Sequence, residues 1–236
     1  MEFIVAKNYE EMSRKAADVI AELVARKPSC ILGLATGSTP EGLYAQLIKD
    51  CQEGKISFKD VSTYNLDEYR GLENDHPQSY HYFMEQHLFN HVDIDLAATH
   101  VPDGSNPDAA AACADYEAAI KASGGVDLQL LGLGHNGHIG FNEPTTYFPK
   151  DVHTVNLTES TINANSRLFE RREDVPTQAI TMGIGTIMKS DKILLIAGED
   201  KTDIIEKALY GKVTPEVPAS VLQLHKDVTV IICKKK

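Results

Sequence analysis

Short apolar, β-branched segments alternate with amphipathic segments along the chain, and this alternation limits the possible folds more than any other feature of the sequence. It is typical of an α/β protein with an open, mostly parallel sheet and helices on both faces, a Rossmann-like three-layer architecture. Seven segments are predicted to be strands, namely residues 3–6, 30–35, 61–66, 127–133, 179–182, 192–197 and 228–233.

The segments between these strands carry apolar residues at helical spacing. In the first segment they fall on one face, which predicts a helix with a single buried stripe. Its apolar residues are Met12, Ala16, Val19, Ile20 and Leu23. Further helices are predicted around residues 42–52, 79–90, 109–121 and 203–210. The 236 residues contain neither an internal repeat nor a linker-like stretch, so we expect one domain that spans residues 1–236.

The charge balance limits the partners of the protein. The chain has 34 acidic residues against 23 Lys and Arg, a net charge of −11, which repels nucleic acids and anionic membrane surfaces. We therefore expect neither nucleic acid nor a membrane as a partner. The four cysteines are scattered without metal-type spacing, and the first residues lack an apolar run of signal-peptide length. These features predict free thiols and a cytoplasmic protein.

A small-residue turn, TGSTP, follows the second predicted strand. Ligands of open α/β sheets bind beyond the carboxyl ends of the strands, and the N–H groups of a helix that begins at Pro40 would suit an anion. Gly37 permits close approach, and Ser38 and Thr39 offer hydroxyl groups. The turn lacks the lysine of a Walker motif and the spacing of a dinucleotide fingerprint, so neither ATP nor NAD is indicated. The alternative is a structural turn capped by Ser38 or Thr39.

Two acidic residues, Asp67 and Glu68, follow the third predicted strand. A carboxylate at the end of a strand can act as a general base once desolvation raises its pKa. The alternative is a helix cap or a solvated acidic pair.

The segment GLGHNGHIGFNEP, residues 132–144, is the most informative part of the sequence. It combines four glycines with His135, His138 and Glu143, and an imidazole beside a carboxylate can move protons to and from sugar hydroxyl groups. A zinc site is the alternative, but the histidines lack the helical HExxH register, so we expect no metal. The irregular region from Pro144 to about Asp151 is a candidate lid.

Two isolated cations could complete a phosphate site. Arg167 lies in the segment NANSR, and Lys201 follows the predicted strand 192–197 just before a helix, in the same topological position as the Gly37 turn. A phosphate held from both sides is geometrically reasonable. The alternative is that both are ordinary surface charges.

Six segments together resemble the glucosamine-6-phosphate deaminase family: LGLATGSTPEGLY, NLDEY, GLGHNGHIGFNEP, NANSR, GIGTIM and VTPEVPAS. The resemblance spans almost the whole chain. FNEP is its specific part, because the related 6-phosphogluconolactonases resemble this chain in the GxGxxGH stretch and diverge after it.

The resemblance implies a cofactor-free enzyme of amino-sugar catabolism and N-acetylglucosamine utilisation. It would convert glucosamine 6-phosphate and water to fructose 6-phosphate and ammonium, a deamination coupled to aldose–ketose isomerisation. His138 would open the sugar ring, oriented by Asn136 and Glu143, and Asp67 would move a proton from C2 to C1. The implied phosphate ligands are Gly37, Ser38, Thr39, Arg167 and Lys201.

Two departures from the longer members of that family affect the expectations. Those members have aspartate in place of Asn136, and they bind an allosteric activator through basic residues where this chain has the segment 153–155, HTV. We therefore expect a monomer or small homo-oligomer without allosteric activation. Lactone hydrolysis and sugar-phosphate sensing without catalysis are the competing functions. NLDEY and FNEP argue against the first, and the presence of Asp67, His138 and Glu143 together argues against the second.

Overall fold

Ten strands and seven α-helices form the framework of the computed structural model, which describes residues 1–233 except for the side chains of residues 160, 164, 165 and 168. The strands are β1 Glu2–Ala6, β2 Ile31–Leu34, β3 Ser62–Asn65, β4 Asp67–Tyr69, β5 Thr99–His100, β6 Leu128–Leu131, β7 His153–Asn156, β8 Gln178–Thr181, β9 Lys192–Ala197 and β10 Val228–Cys233. The helices are α1 Tyr9–Arg26, α2 Ser38–Gln52, α3 Tyr80–His87, α4 Ala109–Ala122, α5 Glu159–Asn165, α6 Ile184–Ile187 and α7 Thr202–Tyr210.

The main sheet has seven strands in the order β1-β10-β9-β6-β2-β3-β5, and every neighbouring pair in it is parallel. The α/β fold class predicted from the sequence is confirmed. Strands β6 and β9 are almost wholly buried, as parallel strands covered by helices on both faces must be. The predicted stripe of α1 is also present, with Met12, Ala16, Ile20 and Leu23 buried and Val19 partly buried against the core.

The chain leaves β2 towards β3 on one side and returns to β6 on the other side of β2. This reversal makes the carboxyl ends of β2 and β6 a topological switch point, where the connecting loops diverge and leave a crevice. The TGSTP turn follows β2 and the glycine-rich segment follows β6, so both motifs flank this crevice.

A second sheet, in the order β4-β8-β7, is antiparallel and was not predicted. The predicted strand 179–182 belongs to this sheet as β8 rather than to the parallel one, because Asp67 pairs with Thr181 and His153 pairs with the same residue from the other side. Strands β4, β5 and β7 are short and largely polar, so they lack the apolar run by which the others were found.

Among the described residues, no helix is long and apolar enough to cross a membrane.

Candidate active site

A cavity of about 450 Å³ opens at the switch point, at the carboxyl edge of the main sheet. This volume is within the range of roughly 300–1,000 Å³ that small-molecule sites occupy. Its walls are Ala35, Thr36, Gly37, Ser38, Thr39, Leu66, Asp67, Tyr80, Gly132, Leu133, Gly134, His135, His138, Gly140, Phe141 and Lys201. Segments that follow β2, β3, β6 and β9 therefore meet here, although two larger grooves lie elsewhere on the molecule.

The turn after β2 presents an open helix N-terminus to the cavity. Gly37 is the N-cap residue of α2, with φ of 95°, a conformation that favours glycine, and no side chain of the described residues caps it. A Cβ atom on Gly37 would meet nothing within 4 Å, so the space in front of the turn is free. Helix α2 begins at Ser38, two residues before the predicted start at Pro40, and the alternative of a Ser- or Thr-capped turn is wrong.

Tyr9 of α1, which lies in no sequence motif, binds the first turn of α2. Its hydroxyl oxygen accepts a hydrogen bond from the Gly42 N–H at 2.8 Å and lies 2.9 Å from the Ser38 carbonyl oxygen, to which it can donate. These bonds engage the Gly42 N–H and the Ser38 carbonyl, while no side chain of the described residues caps the N–H groups at the start of α2, where Ser38 and Thr39 line the cavity.

Lys201 approaches the cavity from the end of β9. It is the last residue of the 3₁₀ turn Glu199–Lys201 and the N-cap residue of α7, and its side chain is only 15% exposed. Burial lowers the pKa of Lys201 below its usual value, and the charge of Asp200 only partly opposes this effect. A cation that has lost much of its water in this way gains from binding an anion.

Arg167 is placed differently from the other predicted phosphate ligands. It is exposed in the 3₁₀ turn Ser166–Leu168, and within residues 1–233 it is not one of the residues that line the cavity. The structure thus brings together Gly37, Ser38, Thr39 and Lys201 but leaves Arg167 outside their group.

Asp67, the first residue of β4, lines the same cavity. Its side chain is 7% exposed. Burial, helped by the negative charge of Glu68, raises the pKa of Asp67 to about 8. A carboxyl group with such a pKa can accept a proton near neutral pH and give it up again, which is the property a general acid–base group needs.

Glu68 is buried beside Asp67 and binds the start of α3. Its carboxylate accepts hydrogen bonds from the N–H groups of Tyr69 at 2.8 Å, Tyr80 at 2.9 Å and His81 at 2.9 Å. Burial raises the pKa of Glu68 to about 7, although these three donors lower it. Through this contact Glu68 fixes Tyr80, whose side chain forms part of the cavity wall.

His138, Asn136 and Glu143 form one hydrogen-bonded group after β6. The amide oxygen of Asn136 lies 2.8 Å from Nδ1 of His138, and the amide nitrogen of Asn136 donates to Glu143. Nδ1 of His138 is also 3.3 Å from a Glu143 carboxylate oxygen. These partners favour a proton on Nδ1, which leaves Nε2 as the proton-accepting nitrogen. Burial opposes the ionisation of Glu143, yet the hydrogen bonds with His138 and Asn136 and the charge of His138 lower its pKa overall.

The glycines of this segment make room for the histidine and the aspartate. A Cβ atom on Gly134 would lie 2.2 Å from Cε1 of the His138 ring, so only glycine permits this ring position. Gly140 has φ of +57°, and its Cβ would come within 2.9 Å of Thr181 Oγ1 and 3.5 Å of Asp67 Oδ2. Gly140 therefore brings the backbone of the segment directly against Asp67.

Two further sequence expectations concern His135 and the loop after Pro144. His135 lines the cavity, and its Nε2 lies 3.2 Å from a carboxylate oxygen of Asp200. The part of the chain that the structure describes contains no group of three or more His, Cys, Asp or Glu placed to hold a metal ion. The irregular loop is bound at both ends, since the Thr145 N–H donates to the Pro215 carbonyl and the Lys150 carbonyl accepts from Thr186.

Comparison with known proteins places this arrangement in a family. Residues 6–231 match the family model described as glucosamine-6-phosphate isomerases/6-phosphogluconolactonase. A glucosamine-6-phosphate deaminase of Lachnoclostridium phytofermentans is 58% identical over 234 residues, which cover 99% of each chain. A glucosamine-6-phosphate deaminase of Clostridioides difficile is 54% identical over 98% of this chain and 94% of its own.

Solved structures agree with this placement. A monomeric glucosamine-6-phosphate deaminase superimposes with a TM-score of 0.95 at 46% identity, over 99% of this chain and 97% of that one. A 6-phosphogluconolactonase of Thermotoga maritima, at 21% identity, a TM-score of 0.78 and 99% coverage of both chains, shares the fold. The resemblance inferred from the motifs is confirmed, and the chain belongs to the family of glucosamine-6-phosphate isomerases and 6-phosphogluconolactonases.

Proposed function

We propose that this protein is a glucosamine-6-phosphate deaminase that converts glucosamine 6-phosphate and water to fructose 6-phosphate and ammonium, in amino-sugar catabolism in the cytoplasm. The main support for this function is that Asp67 and His138 line the same cavity as the Gly37 turn and Lys201. Relatives that are 52–58% identical over nearly the whole chain are glucosamine-6-phosphate deaminases. We also propose that residues 1–236 form the single domain that carries out this reaction.

The phosphate of the sugar binds at the main-sheet end of the cavity. The free N–H groups of the first turn of α2 and the desolvated ammonium of Lys201 hold it there, with the hydroxyl groups of Ser38 and Thr39 as further donors. Binding of the phosphate holds the sugar in a fixed orientation relative to the Asp67 carboxylate, which accelerates the later proton transfers. Arg167 does not line the cavity, so it would contact the phosphate only if its turn approached the cavity.

His138 opens the pyranose ring. With Nδ1 held by Asn136 and Glu143, Nε2 takes the proton of the C1 hydroxyl and returns it to the ring oxygen, which yields the open-chain aldehyde. The negative charge of Glu143 stabilises the imidazolium that exists between the two transfers. Asn136 supplies orientation without charge.

Asp67 then performs the isomerisation. As a carboxylate it removes the proton from C2, and the substrate's own carbonyl accepts the electrons, so the step needs no external electron sink. The protonated Asp67 returns the proton to C1, and a proton passes from the substrate's own amino group to the former carbonyl oxygen, which gives a C1 hydroxymethyl group and a C2 imine. Water adds to the imine and ammonia leaves, giving fructose 6-phosphate. The raised pKa of Asp67 suits both directions of this transfer.

Turnover of glucosamine 6-phosphate by the purified protein tests the proposal. We expect fructose 6-phosphate and ammonium in equal amounts from the wild type, and a loss of at least about a thousandfold in the Asp67→Asn variant, which cannot accept the C2 proton. Asp115→Asn, an exposed carboxylate of α4, is the matched control and should remain active. Retained turnover in Asp67→Asn would remove Asp67 from the mechanism, and lactone hydrolysis without ammonia release would contradict the function.

We further propose a monomer or small homo-oligomer with hyperbolic kinetics, consistent with the monomeric deaminase that is 46% identical to this chain. Sedimentation measures the first property. A sigmoidal rate curve that N-acetylglucosamine 6-phosphate makes hyperbolic would contradict the second.

A further inference from the structure

One imidazole in the cavity wall has no role in the proposed reaction. His135 lies in the turn between β6 and His138, its side chain is 73% exposed, and it lines the same cavity as Lys201. It is three residues from His138 but is turned towards the β9 end of the cavity, where it meets Asp200. A histidine in this position faces the phosphate end of the site rather than the reacting carbons.

His135 and Lys201 converge on the same atom. Nε2 of His135 is 3.2 Å from Oδ2 of Asp200, and Nζ of Lys201 is 3.4 Å from that same oxygen. Nitrogens from two different loops, one after β6 and one after β9, thus lie within ion-pair distance of a single carboxylate oxygen. A carboxylate oxygen and a phosphate oxygen offer these donors the same acceptor chemistry.

Asp200 is a weakly held occupant of this position. Its side chain is 57% exposed, and it lines a surface groove beside Lys7, Asn8 and Tyr9 rather than the cavity itself. Exposed ion pairs of this kind contribute little to stability, so the carboxylate can move away from the donors at small cost. Lys201, in contrast, is mostly buried and cannot regain its lost water by moving out.

We propose that His135 is a further phosphate-binding residue. The Asp200 carboxylate lies beside His135 and Lys201 until the substrate phosphate takes the place of that carboxylate. The inference rests on the proposed phosphate end of the site. Without phosphate both nitrogens lie within ion-pair distance of Asp200, and in the complex Nε2 of His135 donates to a phosphate oxygen while Asp200 turns to solvent. Asp200 thereby weakens substrate binding, because its release is part of every binding event.

The test compares His135→Ala, His135→Gln, Asp200→Asn and the double variant His135→Ala/Asp200→Asn with the wild type. Binding of inorganic phosphate is measured by calorimetry, and kcat and KM are measured with glucosamine 6-phosphate. His135→Ala should weaken phosphate binding and raise KM about tenfold, the effect of one lost charge-assisted hydrogen bond, with a much smaller change in kcat. His135→Gln, which keeps an N–H donor, should recover part of the loss.

Asp200→Asn should strengthen phosphate binding about threefold, and this gain should shrink in the His135→Ala background because the two residues are coupled. The matched controls are Asp191→Asn, a 70% exposed carboxylate paired with Lys226 before β9, and His91→Ala, an exposed imidazole. Both controls should bind phosphate like the wild type.

Unchanged phosphate binding in His135→Ala, or weaker binding in Asp200→Asn, would overturn the inference, as would a loss in His135→Ala that is confined to kcat. Lys201→Ala separates this outcome from failure of the proposed site. If Lys201→Ala loses phosphate binding and His135→Ala does not, only the role of His135 is refuted. If neither loses it, the phosphate end itself is wrongly placed. Calorimetry needs no turnover, so the test is independent of the catalytic roles.

Discussion

Replacing Asp67 by asparagine should stabilise the folded protein at alkaline pH while it abolishes activity. Asp67 has a pKa of 3.8 in its ordinary state and of about 8 in the folded protein, chiefly because it is buried. Between these values the folded protein keeps a proton that the unfolded chain releases. The stability of the folded protein therefore falls as pH rises through this window. The stabilisation that protonated Asp67 gives at low pH is fully lost above about pH 8.

The size of the effect follows from the same two values. Each pH unit of the window corresponds to about 1.4 kcal/mol, so burying ionised Asp67 costs at most roughly 6 kcal/mol. The carboxyl group lines an open cavity, and water in that cavity screens part of the charge, so this figure is an upper limit. Asparagine cannot ionise, and its stability advantage over aspartate should grow from pH 5 to about pH 8 and then level off.

Urea unfolding followed by far-ultraviolet circular dichroism measures this, since the chain has no tryptophan for fluorescence. The informative quantity is the pH dependence of the difference between variant and wild type, because a constant offset could come from the amide itself. Asp115→Asn, which removes an exposed carboxylate, should show little pH-dependent difference. Parallel stability curves for Asp67→Asn and the wild type from pH 5 to 9 would refute the claim that Asp67 is buried in its neutral form.

Three other variants test how the neighbouring groups act. Glu68→Gln removes a charge that raises the pKa of Asp67, so the acid limb of kcat/KM should move to lower pH; an unmoved limb in a folded variant would contradict this coupling. Gly134→Ala should lower kcat about a hundredfold, because its methyl group displaces the His138 ring, whereas Gly132→Ala meets open space and should retain much more activity. Asn136→Asp should stay active with a shifted pH profile of kcat, since orientation of His138 is kept and a charge is added; complete loss of activity would rule out the orienting role.

Six of the seven strands of the main sheet could be predicted from the sequence because they lie in largely apolar segments, whereas β5, which consists only of Thr99 and His100, could not. The antiparallel sheet could not, because β4 reads only DEY and becomes a strand through pairing with β8, more than a hundred residues later. Asp67 was expected directly after the strand 61–66, and it does follow β3, but it is also the first residue of the unpredicted strand β4.

The candidate site divides in the same way. The motifs pointed to Asp67, His138 and the Gly37 turn, whose chemistry is visible in short segments. Tyr9 and Glu68 support these residues through contacts that no local pattern encodes, 33 residues apart for Tyr9 and Gly42, and 12 and 13 apart for Glu68 with α3. Arg167 was selected from its segment alone, and its position outside the cavity depends on the turn that carries it.

The cavity spans two sheets, and this has a consequence for which sugars can react. The proposed phosphate-binding groups follow strands of the parallel sheet, whereas Asp67 belongs to the antiparallel sheet. The two sheets are joined at Leu66, whose carbonyl accepts a 2.7 Å hydrogen bond from the N–H of Met182. Under the proposed roles, this junction fixes the distance between the phosphate site and Asp67. That distance determines how many carbon atoms can separate the bound phosphate from the carbon that loses its proton. An amino sugar one carbon shorter would bind by its phosphate and still fall short of the base.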